Sequence, residues 1–346
     1  MTNKTQNQAE RTNVSSCLVI GGGISGLIAA GILQNKGIKV TVLDKGRGIG
    51  GRLATRRVSS PDEGKGIFDY GAQHFQVTDP KFQKIVDTWL KVGLVEQWSD
   101  GFYTADDYFQ KSDQVFYRGV ESNRSIAKYL AKDLDVRTQK RIIELQWNNH
   151  QWIVNSQQGD SFSGNNILIT APVPQSLDLL DNSGIEVPSK LRNNLGKLTY
   201  SRCFAVLAFL DKPSQIPEPG GLWFNGKILT WIASNYKKGI SPEAYAVTLH
   251  GSPEFSLANW EADRDIIAQK LIDVAQPWLG SKVVSYQVHG WKFSQPNTSY
   301  GQPYAVLKEP GTLVLAGDAF SPQRNMEGAV LSGIAAAEYI ISTTSF

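Results

Sequence analysis

The stretch SCLVIGGGISGLIAAGILQNKGIKVTVLDK, residues 16–45, decides the fold of the amino-terminal part of the chain. Its first apolar residues, 17–20, predict a buried strand, and the apolar residues that follow recur at helical spacing as far as Gly37. Residues 39–43 predict a second strand. A strand, a helix and a second strand of this length form a βαβ unit, so we expect a parallel sheet and an α/β fold.

A glycine motif lies at the junction between the first strand and the helix. Gly21, Gly23 and Gly26 satisfy G-x-G-x-x-G, and Asp44 stands at the end of the second strand. Glycines let the backbone approach a pyrophosphate, the helix amino terminus offers unpaired N–H groups, and the aspartate can accept hydrogen bonds from ribose hydroxyls. The motif indicates a dinucleotide site without a ribose 2′-phosphate, and by itself it leaves FAD and NAD open.

A basic loop, KGRGIGGR, follows the second strand and ends at Arg52. At this place an arginine can fold back over the pyrophosphate, because Gly50 and Gly51 carry no side chains that would block it. Arg47 and Arg57 are typical of a solvated loop. Arg52 therefore favours FAD.

Two further motifs lie near the carboxyl terminus: LVLAGDAF at residues 313–320 and MEGAVLSGIAAAEYI at residues 326–340. Asp318 is placed to hydrogen-bond a ribityl hydroxyl, and a helix beginning near Glu327 would direct its positive end at the flavin pyrimidine. Taken alone, Asp318 is better explained as a helix cap or turn residue. Together with the amino-terminal motifs, the pair favours a flavin site.

The remaining segments predict a second domain. Hydrophobic periodicity predicts helices over 80–92, 123–134, 261–275 and 327–341. It predicts strands over 141–147, 151–156, 166–170, 202–210, 229–234, 244–250 and 312–315. We therefore expect a discontinuous dinucleotide-binding domain formed by 14–77, 121–174 and 288–346. The rest, 78–120 and 175–287, is expected to form an α+β substrate domain with an antiparallel sheet.

Composition excludes several classes of protein. The 346 residues are 41% hydrophobic with a net charge of +3, which fits a folded chain and does not require a nucleic-acid partner. Cys17 and Cys203 are the only cysteines, so neither a disulfide framework nor a cysteine zinc site can form, and a cytoplasmic location is expected. The four histidines are scattered, and no metal site is expected. No apolar run reaches the length of a membrane span, and the first thirteen residues do not look like a secretory signal.

The motifs GGGISG, DKGRGIGGR, NNILITAPVPQ and LAGDAF…NMEGAVLSG resemble the FAD-binding fold of glutathione-reductase-type and amine-oxidase-type flavoproteins. Within that superfamily, FDYGAQHF, LTYSRCFAVLAFL and HGWKFSQP are similar to the renalase family, and the resemblance extends from residue 16 to 341. It implies a Rossmann-type, glutathione-reductase-like domain with FAD bound along it and residues 69–75 beside the isoalloxazine ring.

The same resemblance implies an activity. Renalases oxidise dihydronicotinamide isomers, the 2- or 6-dihydro forms of NAD(P), by hydride transfer to flavin N5, and dioxygen becomes hydrogen peroxide. The FAD is expected to be noncovalent, because neither cysteine is expected to reach the flavin. Two alternatives stay open: an amine oxidase or polyene desaturase, and a flavin-binding protein without turnover. The protein is expected to be a monomer or homodimer.

Several residues outside the FAD motifs are candidates for contact with the substrate. Trp231, Trp291 and Tyr304 could stack on a flat ring, and either Lys197 or Lys292 could be the water-holding lysine of amine oxidases. Four catalytic residues are predicted. Gln73 and His250 would hydrogen-bond a carboxamide, His74 would act as a general base, and Trp291 would contact the substrate ring. The predicted FAD-binding residues are Gly21, Gly23, Ile24, Ser25, Gly26, Asp44, Lys45, Gly51, Arg52, Asp69, Gly71, Ala72, Gln73, Arg137, Gly317, Asp318, Glu327, Gly328 and Ala329.

Overall fold

The computed structural model describes residues 15–60, 64–308 and 311–344. The strands are β1 (Ser16–Ile20), β2 (Lys39–Leu43), β3 (Thr55–Ser60), β4 (Gly64–Asp69), β5 (Val95–Thr104), β6 (Phe109–Gly119), β7 (Asp135–Arg137), β8 (Ile142–Asn148), β9 (Gln151–Ser156), β10 (Ser161–Gly164), β11 (Asn166–Ile169), β12 (Tyr200–Leu210), β13 (Gly221–Trp223), β14 (Leu229–Ser234), β15 (Ala246–Gly251), β16 (Val283–Pro296), β17 (Ala305–Leu307) and β18 (Leu313–Leu315). The helices are α1 (Ile24–Asn35), α2 (Pro80–Lys91), α3 (Asn123–Leu130), α4 (Val173–Asn182), α5 (Ser189–Leu195), α6 (Pro253–Ala258), α7 (Arg264–Leu279) and α8 (Met326–Thr343).

The central sheet has the order β17-β18-β11-β1-β2-β7, and all its pairings are parallel except that of β17 with β18. Alternate side chains of β1 serve two cores, because successive residues of a strand point to opposite faces. Val19 packs into the core formed with α1 and α8, whereas Leu18 packs into the core that contains Trp152 of the β8–β10 meander. A parallel sheet covered on both faces confirms the predicted α/β Rossmann-type fold, with its strands drawn from both ends of the chain.

A second sheet has seven strands in the order β16-β12-β15-β14-β13-β5-β6. Its pairings are antiparallel except that of β13 with β5. Helix α7 covers one face, with Ile267 and Leu271 buried against Phe204 of β12. The predicted α+β part with an antiparallel sheet is therefore present.

The structure adds elements that the hydrophobic pattern did not reveal. Strands β5, β6 and β16 carry many polar and half-exposed residues, so their period-2 signal is weak. Strand β3 includes Arg57, which was expected to lie in the basic loop, and β3 forms a hairpin with β4, where the sequence predicted only a short strand-like piece at 68–70. The boundary predicted at residue 288 falls inside β16, and the helix predicted to reach residue 134 ends at Leu130.

Among the described residues, no helix is both long enough and apolar enough to cross a membrane.

Candidate functional site

A cavity of about 1750 Å³ extends from the carboxyl edge of the parallel sheet to the seven-stranded sheet. Most of the predicted site residues line it: Gly21, Gly23, Ile24, Ser25, Asp44, Lys45, Gly51, Arg52, Gly71, Ala72, Gln73, His74, His250, Trp291, Gly317, Asp318 and Ala329. Gly26, Asp69, Arg137, Glu327 and Gly328 are not among its lining residues. Ligands of α/β sheets bind at this carboxyl edge, so the cavity has the expected position for a dinucleotide.

The loop between β1 and α1 has the properties of a pyrophosphate cradle. Gly21 adopts a φ of +119°, and a Cβ there would lie 2.5 Å from Thr170 Oγ1. Gly23 caps α1 with no side-chain hydrogen bond, and a Cβ at Gly23 would meet nothing within 4 Å. The buried Ser25 hydroxyl has no hydrogen-bond partner within the protein. Free backbone N–H groups, an unused hydroxyl and an open surface fit a pyrophosphate at the positive end of α1.

Gly26 has a different function from the other glycines of the motif. A Cβ at this position would collide with the carbonyl oxygen of Gly21 and lie 3.1 Å from a methyl group of Val19. Gly26 therefore lets α1 pack closely on β1, which is the known use of the third glycine in this motif.

The carboxylate of Asp44 is held in place by backbone amides. Oδ2 accepts a hydrogen bond from Gly22 N at 2.7 Å, and Oδ1 accepts one from Gly46 N at 2.6 Å. Each oxygen keeps lone-pair capacity for a ribose hydroxyl, because a carboxylate has about four acceptor sites. The position predicted for Asp44 is therefore consistent with the geometry.

Arg52 and Asp318 were predicted to contact different parts of FAD, and the structure joins them in one ion pair. Arg52 Nη1 lies 2.5 Å from Asp318 Oδ2, and Nη2 lies 2.9 Å from Oδ1. Arg52 Nη1 also donates to the carbonyl of Ser294 at 3.1 Å. This bidentate contact connects the basic loop with the β18–α8 turn, and both side chains line the cavity.

Asp69 was predicted to face the flavin, but its side chain is fully buried behind the cavity wall. Its carboxylate pairs with Lys238 at 2.9 Å and accepts a 2.6 Å hydrogen bond from Thr55 Oγ1. Lys238 Nζ also donates to the carbonyl of Gln73 at 2.7 Å. Burial lowers the pKa of the Lys238 ammonium, and Asp69 opposes that shift. The pair supports the segment between Asp69 and Gln73 from behind.

Three other predicted FAD residues lie outside the lining. Glu327 is 2% exposed and accepts hydrogen bonds from the backbone N of Thr78 and Asp79, so its carboxylate fixes that turn to α8. A Cβ at Gly328 would meet Ser321. Arg137 is exposed and pairs with Asp135 beside it on β7. The amino end of α8 contributes Met326 and Ala329 to the cavity instead.

The carbonyl of Tyr70, the residue after β4, contacts two residues of the seven-stranded sheet. It accepts a hydrogen bond from Trp291 Nε1 at 2.8 Å and lies 3.1 Å from His250 Nε2. A carbonyl can only accept, so His250 carries its proton on Nε2 and leaves Nδ1 as an acceptor. The Tyr70 ring also stacks on Trp291 at a centroid distance of 5.3 Å. These contacts orient both predicted substrate-side residues.

His74 lies within a cage of aromatic rings, where the general-base role predicted for it has no physical support. The rings of Phe116 and Trp231 have centroids 4.6 and 5.4 Å from its imidazole. Burial, reinforced by Lys238 and His250, lowers the pKa of His74 to about 3. Burial also lowers the pKa of His250 to about 4. Both imidazoles are neutral at pH 7, and a base of such low pKa accepts protons weakly.

Of the other residues that were predicted to contact the substrate, some line the cavity and others do not. Trp231 and Lys292 line it, whereas Tyr304 packs against Tyr339 in the core and Lys197 is exposed elsewhere. Cys203 also lines the cavity, and the expectation that it does not reach the flavin stays a prediction.

Burial raises the pKa of Cys203 to about 12, so it is a neutral thiol at pH 7. A noncovalent flavin stays a prediction.

Besides the Ser25 hydroxyl and Arg124 Nε, two buried polar atoms in the lining have no partner within the protein. They are Gln73 Oε1 and Trp231 Nε1, an acceptor and a donor. The orientation of the Gln73 amide is determined by its other end, because Nε2 donates to the carbonyls of Asp69 at 2.6 Å and Gly71 at 3.3 Å. Unpaired buried polar atoms are costly, so a ligand that satisfies both is expected here.

Sequence reasoning missed two residues near this site. Lys238 stands in the polar stretch NYKKG, which is typical of a solvated turn, and no sequence signal places it in the core. Arg124 of α3 lines the cavity, and its buried Nε has no partner. Gly48 and Gly50 leave the space in which this side chain lies, which is the one signal that could have indicated it. No group of metal-ligating side chains occurs in the part of the chain that the structure describes.

Comparison with known proteins agrees with this geometry. Residues 19–89 match the model of an NAD(P)-binding Rossmann-like domain, and residues 99–341 match the model of flavin containing amine oxidoreductases. Renalase from Mus musculus is 23% identical over 341 residues, which cover 93% of this chain and 97% of the relative.

Solved structures show the same fold. Cyclohexylamine oxidase from Brevibacterium oxydans has a TM-score of 0.70 at 14% identity, covering 95% of this chain and 99% of the other. Wild-type putrescine oxidase bound to putrescine has a TM-score of 0.67 at 12% identity, with the same coverage of 95% and 99%. The flavin containing amine oxidoreductase match covers residues 99–341, which is most of the chain. The cradle at α1, which lies within the Rossmann-like match, fits the pyrophosphate of FAD. The chain is therefore a renalase-like, FAD-dependent oxidoreductase that belongs to the flavin containing amine oxidoreductase family.

Proposed function

We propose that this oxidoreductase takes hydride from 2- or 6-dihydro isomers of NAD(P) and passes the electrons to dioxygen, which yields NAD(P)⁺ and hydrogen peroxide. Bound FAD supplies the hydride acceptor and its reoxidation by dioxygen. The residues from β1, α1, β2 and the β18–α8 turn hold the cofactor, and the seven-stranded sheet positions the substrate. In this proposal 14–77, 121–174 and 288–346 form the FAD domain, except that β16 belongs wholly to the substrate sheet.

The observation that carries the proposal is the pair of unsatisfied atoms in an aromatic wall. A nicotinamide ring carries a carboxamide, which offers one carbonyl acceptor and two N–H donors. Trp231 Nε1 can donate to the carbonyl, and Gln73 Oε1 can accept from the amide. His250 Nδ1 provides a second acceptor. The protein therefore orients a flat ring by hydrogen bonds and stacking.

The low pKa values of the two histidines fit this chemistry. A dihydronicotinamide carries a nitrogen lone pair that drives hydride out, so no strong base is required. His74 and His250, with pKa values of about 3 and 4, stay neutral and do not place a positive charge beside the ring. An alkylamine offers no carboxamide, so the two unpaired atoms of the lining favour the dihydronicotinamide over the amine alternative.

The test is anaerobic stopped-flow reduction of the FAD-loaded protein. NADH containing the 2- and 6-dihydro isomers should bleach the flavin rapidly, whereas pure 4-dihydro NADH should act slowly. Trp231→Phe keeps a ring but removes the N–H, and it should raise the half-saturating isomer concentration roughly tenfold, the cost of one unmade buried hydrogen bond. FAD should stay bound.

Trp278→Phe is the matched control, because Trp278 packs on Phe224 and does not line the cavity. Reduction by cyclohexylamine or putrescine together with inertness toward every NADH isomer would overturn the proposal in favour of an amine oxidase. No reduction by either class would indicate a flavin protein without this turnover.

A further inference from the structure

The substrate side of the cavity is positively charged. The strands of the seven-stranded sheet contribute Lys292 to the described lining and contribute no carboxylate. The carboxylates that do line the cavity are Asp44, Asp178 and Asp318, which come from the FAD-binding side. Asp318 is already paired with Arg52. A cationic amine entering from the substrate side would meet no compensating charge on that wall.

Arg56 of β3 is a second cation that lines the cavity. Its guanidinium carbon lies 4.9 Å from the centroid of the Tyr70 ring, and Nη1 donates to Gln287 Oε1 at 2.9 Å. No carboxylate pairs with it among the described residues. Stacking and one neutral acceptor fix the side chain, and its other N–H groups are left for an anionic ligand.

Lys292 lies next to Trp291 on β16, the same strand that holds Arg56 through Gln287. Its ammonium lies 5.6 Å from the ring of Phe293, and no carboxylate of the described chain pairs with it. His289 stands between Gln287 and Trp291 on the same face. Burial first, and then the charges of Arg56 and Arg264, lower the pKa of His289 to about 4. A positive potential therefore reaches the cavity at this point.

We propose that Arg56 forms a phosphate subsite that binds the pyrophosphate of a dinucleotide substrate. The inference rests on the proposed function and extends it from the ring to the rest of the substrate. With the ring at Trp231 and Gln73, the remainder of the molecule continues past the Tyr70–Trp291 stack toward Arg56. The planar fork of an arginine can donate two parallel hydrogen bonds to phosphate oxygens.

The first experiment measures binding without turnover. ADP-ribose, which carries the pyrophosphate but no nicotinamide, is titrated into the oxidised FAD-loaded protein, and the flavin absorbance reports binding. Arg56→Gln should weaken it at least roughly tenfold, since a charge-assisted hydrogen bond is lost. Adenosine, which lacks phosphate, should bind equally weakly to all variants. Arg56→Lys retains the charge without the fork and should lie between wild type and Arg56→Gln.

Lys84→Gln is the matched control, because Lys84 is an exposed cation of α2 that does not line the cavity. It should bind ADP-ribose like wild type. Equal affinity of wild type and Arg56→Gln for ADP-ribose would overturn the subsite.

The second experiment separates the subsite from the proposed function. Reduction of the flavin by the 6-dihydro dinucleotide should show a raised half-saturation in Arg56→Gln and an unchanged limiting rate. Reduction by the corresponding dihydronicotinamide riboside, which lacks phosphate, should be unaffected. If ADP-ribose binding depends on Arg56 but no isomer reduces the flavin, the subsite stands and the proposed function fails. If the riboside is affected as strongly as the dinucleotide, the residues act on the ring and the subsite is wrong.

Discussion

The ion pair between Lys238 and Asp69 is the most deeply buried charge interaction near the site, with both side chains 0% exposed. Removing one member of such a pair leaves the other charge buried without compensation. Lys238 also donates to the Gln73 carbonyl, so its loss would release the segment that faces the cavity. The pair therefore acts on both stability and the position of Gln73.

Lys238→Met is expected to lower the free energy of unfolding by about 3–5 kcal/mol, as measured by urea denaturation. Lys237→Met is the control, because the neighbouring Lys237 makes a half-exposed ion pair with Glu218 and one hydrogen bond to the Ile216 carbonyl. Its loss should cost no more than about 1.5 kcal/mol. Equal destabilisation by the two substitutions would show that the buried ion pair contributes no more to the free energy of unfolding than the half-exposed one.

The lowered pKa values of His74 and His250 predict how the free energy of unfolding depends on pH. Their folded-state pKa values, about 3 and about 4, lie below the unfolded value of about 6.5. Between these values the unfolded chain binds more protons than the folded one, so stability falls as the pH decreases from about 6.5 toward about 4. The slope is up to about 1.4 kcal/mol per pH unit for each histidine.

Denaturation of wild type and His74→Phe at pH 7 and pH 5 checks this expectation. Phenylalanine suits the aromatic cage and does not titrate, so the variant should lose less stability between the two pH values. His150→Phe is the control, because His150 is an exposed turn residue. A variant that loses as much stability as wild type would contradict a depressed pKa at His74.

At the scale of a single element, α1 packs closely on β1 at Gly26 and borders the cavity at Gly23. Gly23 is open to the cavity, whereas Gly31 lies farther along the same helix and does not line the cavity. A Cβ added at either glycine would meet nothing within 4 Å. Alanine is compatible with the backbone at both places, because neither glycine has a positive φ. The two positions therefore separate the effect on FAD from the effect on the helix.

Gly23→Ala should weaken FAD retention roughly tenfold or more, because the methyl group occupies the surface where the pyrophosphate approaches. Gly31→Ala should keep the cofactor and stabilise the protein by up to about 1 kcal/mol, the difference in helix propensity. Flavin released on dialysis and the thermal midpoint report the two effects. Full retention of FAD by Gly23→Ala would contradict the assignment of the β1–α1 loop as the pyrophosphate site.

At the scale of the whole molecule, the cavity couples the two sheets. One wall comes from the parallel sheet and α1, and the other comes from β12–β16. The Tyr70 carbonyl and the Lys238–Asp69 pair join the end of β4 to the seven-stranded sheet. Arg52, which pairs with Asp318, also donates to the Ser294 carbonyl of β16 and so joins the FAD-binding side to that sheet. A ligand that fills the cavity contacts both walls, so its binding energy should stabilise both.

FAD at one hundred times its Kd should raise the free energy of unfolding by about 2.7 kcal/mol. Thermal unfolding followed by tryptophan emission, which reports largely on the seven-stranded sheet, should coincide with release of the flavin. The protein without FAD, denatured under the same conditions, is the control. A tryptophan transition that does not respond to FAD would show that the substrate sheet unfolds independently.

The sequence by itself determined the βαβ unit, the glycine cradle and Asp44, because these depend on local spacing along the chain. It also indicated FAD through Arg52 and Asp318, although it did not reveal that the two side chains pair. Local signals are strong there because a strand, a turn and a helix lie within a few residues of one another.

The tertiary structure alone decided which polar residues are buried and what they contact. Lys238, Asp69 and Gln73 meet because β4, the following loop and the β14–β15 turn come together across more than 160 residues of sequence. Lysine in a polar turn has the same local pattern whether it is solvated or enclosed, so no periodicity distinguishes the two. Arg56 and β16 are a second case, since the weak alternation of β16 concealed the strand that brings Gln287 to Arg56. Long-range packing sets burial, and burial sets charge and hydrogen bonding at the site.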